Sequence, residues 1–350
     1  MTNSAHRKAS YRTEDFNYTL PPELIAQSPV ATRDESRLLV LNRQIDTVEH
    51  KQFRDIVDLG GPGDLIVVNS SRVIPARLHA TRDNGRTAEV LLVHQTSLNT
   101  WRVMVHPGGK LKLGRQLHFE SHGDAEVTGV LGGGLREITF DPGLDVNALM
   151  ADLGSVPLPP YIHREPEDAD SERYQTIFAI EDGSVAAPTA GLHFTPELVT
   201  KLKNKGIDFA EILLHVGPGT FKPVAVEDPQ DHEMHSEWYS LPEKTARLVN
   251  RVRESRGRVW AVGSTAARVL EICTSDSITS AGSGWTSKFI FPPYEFEGVD
   301  VLITNFHQPR SSLLMLVTAF GGYERVMAAY DTAIEAKYRF YSYGDAMVIV

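Results

Sequence analysis

A single cysteine, Cys273, stands in a chain of 350 residues. That excludes a disulfide framework and any zinc site built on thiolates, and it suits a reducing compartment. Long apolar runs are missing as well. Stretches such as 313–317 fall far short of the roughly 18 residues a membrane-spanning helix needs. The first 15 residues mix Arg7, Lys8 and Arg12 with Glu14 and Asp15 around no apolar segment, so they read as a polar tail and not a secretory signal. A cytoplasmic protein without membrane association is expected. Positive charge is also in deficit: 35 Lys and Arg against 45 Asp and Glu leave a net charge of −10. Indiscriminate nucleic-acid binding, which draws its affinity from a basic surface, is disfavoured. A local patch remains, because residues 244–258 carry Lys244, Arg247, Arg251, Arg253, Arg256 and Arg258 on what reads as a helix and its exit. By charge pattern alone that is a solvated helix face.

Three common chemical signatures are absent. No G-x-G-x-x-G follows a first strand, and neither G-x-x-x-x-G-K-[ST] nor G-x-S-x-G occurs. Ordinary dinucleotide enzymes, P-loop NTPases and serine hydrolases with a nucleophile elbow are therefore not expected.

What is present is an ordinary globular composition, 41% apolar and 23% charged, on a chain long enough for two domains. Between residues 64 and 140 short alternating runs are broken by turns. The Asn84-Gly85 pair predicts a type I′ turn, and Pro107-Gly108-Gly109 separates 101–105 from 111–119 as a second hairpin. Gly132-Gly133-Gly134 divides a further pair. Such spacing indicates a small antiparallel barrel or sandwich. Beyond residue 146 the period lengthens. Thr195-Pro196-Glu197 opens a helix that should end at Gly206, and a strand over 209–216 follows. Strands at 258–262 and 299–305 alternate with helices at 243–257, 266–273, 312–319 and 323–338, and 346–350 closes the sheet. The fold class is α/β: a largely parallel, helix-covered sheet (residues 16–60 and 147–350) with an inserted small antiparallel β-barrel (61–146) behind a polar tail (1–15).

Polar residues gather after the expected strands, where open α/β sheets hold ligands. The small-residue run around Thr189-Ala190-Gly191-Leu192-His193 permits close backbone approach, with His193 able to move protons; a tight turn with a packed histidine explains it equally. His215-Val216-Gly217-Pro218-Gly219-Thr220-Phe221 suits a ligand contact or a sharp reversal. His232 and His235 lack the H-E-x-x-H spacing and have no cysteine to help, so no metal site is expected. Gly263-Ser264-Thr265 with Arg268 one turn on aims a helix start at an anion, unless it is merely solvated. Thr304-Asn305-Phe306-His307-Gln308-Pro309-Arg310 concentrates an amide, an imidazole and a guanidinium at a strand end, which favours function. Tyr338 through Asp345 offers aromatics for base stacking or for sealing the core. From the residues alone the reading ends at a metal-free polar site for an anionic or nucleoside-like molecule.

The same segments resemble one family. They include Leu24-Ile25-Ala26-Gln27-Ser28-Pro29, Ser36-Arg37-Leu38-Leu39-Val40, Arg72-Val73-Ile74-Pro75-Ala76-Arg77-Leu78, Leu158-Pro159-Pro160-Tyr161-Ile162 and Glu172-Arg173-Tyr174-Gln175-Thr176. The runs 186–195, 215–221, 304–307, 313–317 and 338–347 belong with them. Together they resemble the S-adenosylmethionine:tRNA ribosyltransferase-isomerases of queuosine biosynthesis, from Asp15 to the C-terminus. The resemblance implies an α/β domain with an inserted barrel. It implies transfer of the ribosyl part of S-adenosylmethionine to 7-aminomethyl-7-deazaguanine at the tRNA wobble position, with rearrangement to epoxyqueuosine and loss of adenine and methionine. S-adenosylmethionine is then a consumed co-substrate; no cofactor or metal is expected, and a monomer is expected.

Set against that chemistry, His307, His215 and His193 are candidates for the base that removes a ribose C5′ hydrogen next to the sulfonium. Asp345 or a second histidine is the candidate acid for departing adenine. Gly263, Thr265 and Arg268 suit the methionyl carboxylate, with Thr189, Gly217 and Asn305 completing the S-adenosylmethionine site. Tyr343 or Phe221 would stack on the wobble base, while Arg247, Arg251 and Arg310 would meet tRNA phosphates. Four positions depart from the family pattern: Ser70 replaces a carboxylate, Ala266 a hydroxyl, Pro293 a glycine and Gln308 a leucine. The alternatives are a diverged relative that uses S-adenosylmethionine on another acceptor, or a tRNA-binding module without catalysis.

Overall fold

The structure is a computed structural model and describes residues 11–132 and 134–350. A hairpin of β1 (Arg37–Asn42) and β2 (Thr47–Gln52) leads through the one-turn α1 (Ile56–Leu59) to β3 (Leu65–Asn69) and β4 (Ser71–Val73). Six strands follow: β5 (Arg77–Arg82), β6 (Thr87–Ser97), β7 (Thr100–His106), β8 (Gln116–His118), β9 (Asp124–Gly132) and β10 (Leu135–Phe140). Next come α2 (Val146–Leu153), the single turn α3 (Asp170–Arg173), β11 (Glu181–Ser184), α4 (Pro196–Asn204), β12 (Asp208–Leu214), β13 (Glu237–Leu241) and α5 (Glu243–Glu254). The chain ends with β14 (Val259–Val262), α6 (Gly263–Cys273), the two-residue β15 (Thr274–Ser275) and β16 (Ile278–Thr279), β17 (Gly282–Thr286), β18 (Val301–Asn305), α7 (Ser312–Gly321), α8 (Tyr323–Glu335) and β19 (Ala346–Ile349).

Nine strands form one mixed sheet in the order β17-β13-β12-β3-β14-β18-β19-β1-β2. Its centre, β12-β3-β14-β18, is parallel; β19 runs against β18 and along β1. The central strands are buried on both faces, which is why they read as unbroken apolar runs and not as alternation. Leu65 and Val67 face α5, α6, α7 and α8, while Ile66 and Val68 face α4 and Phe194. Each buried valine or leucine in these layers contributes about 1.5–3 kcal/mol. The helix starts follow local chemistry: Thr195 accepts from Leu198 N ahead of Pro196, and Ser311 accepts from Leu314 N. Past α4, Gly206 takes a positive φ of 84°, as its position required. No helix among the described residues is long and apolar enough to cross a membrane.

β5 to β10 close a six-stranded barrel, filled by residues such as Leu78, Val90, Val103, Phe119 and Ile138 and plugged by Leu149 and Met150 of α2. The barrel unit therefore spans 77–153, and the expected boundaries of 61 and 146 shift. β3, assigned to the barrel from sequence, is the middle of the main sheet: five consecutive buried residues suit a two-sided position, not a barrel wall. Two hairpin readings change as well. β7 pairs with β6 and β10, and the 107–115 segment crosses to bring β8 against β5 and β9. At the Asn84-Gly85 turn only Gly85 takes positive φ, at 76°, so the turn is not type I′. Gly133 lies outside the described residues. Residues 13–16 are docked and not a free tail: Thr13 N donates to Glu227 O at 2.9 Å, and the fully buried Phe16 meets Tyr323 edge-on.

One carboxylate pins the start of β3 to that of β14. Asp64, 4% exposed, accepts from Gly61 N, Arg258 N, the Arg258 guanidinium and Trp260 Nε1. Burial alone would raise its pKa; the Arg258 and Gly61 hydrogen bonds overcome this and hold it below the ordinary value. Asp64→Asn places an amide donor against these donors. The expected loss is about 3 kcal/mol in urea unfolding, the low end for a broken buried pair because Arg258 is partly exposed. A loss below about 1 kcal/mol would show that the backbone ladder alone sets this register.

Candidate active site

Three adjoining clefts open at the C-terminal ends of the parallel strands. The first encloses about 650 Å³, counting its open mouth, between the 186–190 loop, the first turn of α6 and residues 304–308. Gly263 begins α6 at a φ of 84°, which strains any side chain, and no side chain caps the helix. Its unsatisfied amides and positive dipole end meet the cleft wall. Thr265, the third residue of the helix, has a buried Oγ1 with no hydrogen-bond partner among the described residues.

β18 delivers Asn305 to this wall. Its Nδ2 donates to His193 Nε2 at 3.1 Å and to Tyr341 O at 3.3 Å, and it approaches Asp345 O. Those acceptors fix the amide's orientation and leave buried Oδ1 without a partner among the described residues. His193 is sealed behind it: Nδ1 meets Ser36 Oγ at 2.7 Å, the ring stacks on Phe53 at 4.9 Å, and burial pushes its pKa down to about 3. His307 lines the cleft directly. Its Nε2 meets Thr304 Oγ1 at 2.7 Å, its backbone N donates to Tyr330 OH at 2.9 Å, and its Nδ1 has no protein partner among the described residues. Burial again lowers the pKa to about 3, so the ring is neutral.

The second cleft continues past Thr265 to Arg268. That guanidinium, 6% exposed, pairs with Glu237 through Nη1 and donates to Lys288 O at 3.2 Å, while Nη2 is buried without a partner among the described residues. Glu237 also accepts from Gly217 N at 2.9 Å. The third cleft, about 1100 Å³ with its mouth, lies between the barrel and the sheet and holds His215. There Nδ1 meets Ser71 Oγ at 2.8 Å and Ser71 meets Ser184 Oγ at 2.6 Å. Burial lowers the His215 pKa as well.

The structure thus gathers Thr189, Gly263, Thr265, Asn305 and His307 on one cleft, and Arg268 on its extension. Others fall elsewhere. His215 and Gly217 line the third cleft. His193 reaches the first only through Asn305. Asp345 does not line it: the buried carboxylate is consumed by Arg37 N at 2.9 Å and Arg339 N at 2.8 Å, clasping the chain before β19. Tyr343 is 3% exposed, donates to Asp170 and packs on Tyr174, so its ring has no face for a base. The Phe221 side chain lies outside the described residues. Arg247 pairs with Glu243, and Arg251 lies toward the end of α5 that enters β14 from its N-terminal side, away from the clefts. Arg258 is held by Asp64. Arg310, exposed beside the cleft residue Gln308, pairs with Glu14 at 3.3 Å. Glu237, Ser36, Ser71 and Ser184 were not among the expected site residues: Ser36 opens one of the family segments, but no local signal assigns any of the four its distant partner. Among the described residues no three His, Cys, Asp or Glu side chains form a metal cluster.

The sealed imidazole makes stability depend on pH. His193 titrates near 6.5 when unfolded and near 3 when folded, so its stabilising share is complete above 6.5 and declines as pH falls toward 3. The slope is about 1.4 kcal/mol per pH unit for one such ring. Between pH 6 and 4 the stability of the wild type should fall more steeply than that of His193→Gln, by roughly that amount per unit. Parallel denaturation curves across this range would mean the ring is already charged in the fold.

A model of the queuosine biosynthesis protein family matches residues 13–349. A Thermotoga maritima protein named S-adenosylmethionine:tRNA ribosyltransferase-isomerase is 49% identical over 339 residues, 97% of this chain and 100% of the relative. A Moorella thermoacetica protein of the same name is 50% identical over 344 residues, with the same coverage. A crystal structure of the S-adenosylmethionine tRNA ribosyltransferase from Thermotoga maritima is similar at a TM-score of 0.56 and 40% identity, over 96% of this chain and 100% of that one. Matches of this extent, over a sheet domain with an inserted barrel, mean that the chain belongs to the queuosine biosynthesis protein family.

Proposed function

We propose that this chain transfers the ribosyl part of S-adenosylmethionine to 7-aminomethyl-7-deazaguanine at the tRNA wobble position and rearranges it, forming epoxyqueuosine and releasing adenine and methionine. One structural observation carries the reading to specific atoms. Thr265 Oγ1, Arg268 Nη2 and Asn305 Oδ1 are buried without partners among the described residues, on side chains that line adjoining clefts. Buried polar atoms in folded proteins are nearly always paired, so a ligand that supplies both acceptors and donors is the natural complement. The methionyl carboxylate accepts from Thr265, Arg268 and the start of α6; an amine or hydroxyl of the ligand donates to Asn305. Thr189 and Gly263 complete that wall.

His307 is the proposed base. The sulfonium acidifies the neighbouring C5′ hydrogens, and a neutral imidazole with Nδ1 free can take one. On this reading S-adenosylmethionine is consumed as a co-substrate, no resident cofactor or metal takes part, and the protein acts as a cytoplasmic monomer. Arg310, exposed near the mouth, is the remaining candidate for a tRNA phosphate.

Purified protein, S-adenosylmethionine and tRNA bearing 7-aminomethyl-7-deazaguanine should give epoxyqueuosine by nucleoside mass spectrometry, with free adenine in step. Folded protein that binds S-adenosylmethionine yet yields neither product would move the activity to another acceptor. Thr265→Val and Asn305→Ala should each weaken S-adenosylmethionine binding by about 5- to 30-fold in calorimetry. His307→Gln should lower kcat by about 100-fold or more while leaving that affinity within about threefold. The pH profile adds a sign: a base with its pKa near 3 is already unprotonated at pH 5, so kcat/KM should not decline between pH 7 and 5 on its account. An acidic limb near pH 6.5 that vanished in His307→Gln would contradict the assigned environment.

A further inference from the structure

We propose that the cleft between the barrel and the sheet seats the acceptor base, stacked on Trp285 with its aminomethyl nitrogen at His215. The inference rests on the ribosyl-transfer reading and separates the two substrates by cavity. Its walls have the chemistry of a nucleobase site. Trp285 at the sheet edge is 51% exposed, an unusual degree for so large an apolar ring. It meets Trp238 at 5.7 Å and the barrel's His94 at 4.6 Å, both edge to face, so aromatic rings from both units frame one slot. Trp101 lines the same cleft, is 7% exposed, and has a buried indole N–H with no partner among the described residues.

His215 is placed for the nitrogen chemistry. Its Nδ1 meets Ser71 Oγ, which meets Ser184 Oγ in turn; with the ring proton on Nδ1, donated along this pair, Nε2 carries the free lone pair. Gly183 makes room: a Cβ there would fall 2.5 Å from the imidazole. The aminomethyl group arrives as an ammonium. Its N–H bond breaks, an Nε2–H bond forms on His215, and the electron pair stays on the amine as nucleophile. Val216, the next residue, lines both this cleft and the first, which puts the two substrates on either side of one strand end.

The experiment uses the full chain, S-adenosylmethionine and tRNA bearing 7-aminomethyl-7-deazaguanine. Trp285→Ala should raise the tRNA KM by about 5- to 100-fold, the range for loss of one base–aromatic stack, with S-adenosylmethionine affinity within twofold. Trp285→Phe should recover most of the loss. His215→Gln should lower kcat and leave the tRNA KM within about threefold. That defect should shrink as pH approaches about 10, where an alkylammonium loses its proton unaided. If the wild type makes no epoxyqueuosine, the ribosyl-transfer reading fails. If the wild type is active but Trp285→Ala leaves the tRNA KM unchanged, or raises the S-adenosylmethionine dissociation constant in parallel, the acceptor site is not here. A His215→Gln defect that is constant with pH would likewise remove the proton-transfer role.

Discussion

The site depends on the neutrality of one imidazole. His193 accepts from Asn305 through Nε2, and its Nδ1 faces the Ser36 hydroxyl, which itself donates to Arg33 O at 3.2 Å. Protonation would set an N–H of the ring against the Asn305 amide N–H, with both side chains buried. Burial against Phe53 prevents this by making the charged form costly. Neutral, the ring orients Asn305, and Asn305 reaches the carbonyls of Tyr341 and Asp345. One proton-free nitrogen thus joins the approach to β1, the 189–193 turn, the end of β18 and the loop before β19. The unpaired Oδ1 of Asn305 is the consequence, and it is the feature a ligand can use.

The clefts are products of topology. Parallel strands β12, β3, β14 and β18 all end on the same edge, so the turns that follow them converge there. The barrel is inserted at that edge as well. It leaves the sheet after β4 and returns before β11, and these two short strands pair with each other in parallel. Ser71 on β4 and Ser184 on β11 therefore meet at the root of the barrel, where β12 delivers His215. The third cleft is the space between that root and the sheet edge. A barrel inserted elsewhere would leave His215 on an open surface.

Much of this was legible because local chemistry and tertiary context agree. Thr195, Ser311 and Gly206 mark helix ends through bonds made within a few residues, and the apolar runs of β14 and β18 report burial on two faces. β3 carried the same signal but stood among alternating barrel strands, and its neighbours concealed that it pairs with β12 and β14. The polar site was half legible for the same reason. Asn305 and His307 announce themselves because an amide and an imidazole follow a buried strand. Glu237 does not, because its meaning lies in Arg268, 31 positions away, and Ser71 acquires a role only from His215, 144 positions on. Asp345 and Tyr343 looked reactive because polarity and aromaticity at a strand's edge resemble function. Two backbone amides and a buried carboxylate use them up instead.

The departures from the family pattern can now be weighed by position. Ser70, in place of a carboxylate, is buried and donates to Ile212 O at 3.1 Å, closing the seam between β3 and β12 without reaching the first cleft. Ala266 packs fully buried in the core beneath α6, so the missing hydroxyl is absent from apolar surroundings and not from the wall; the wall positions of that turn are Ser264 and Thr265, which retain theirs. Pro293 is exposed and lines none of the three clefts. Only Gln308 faces a ligand volume, beside His307 at the mouth of the first cleft. Of the four changes it alone can alter what binds, since a carboxamide adds both a donor and an acceptor where the family has an aliphatic side chain. The interior of the site keeps its unpaired atoms whichever residue stands at that rim.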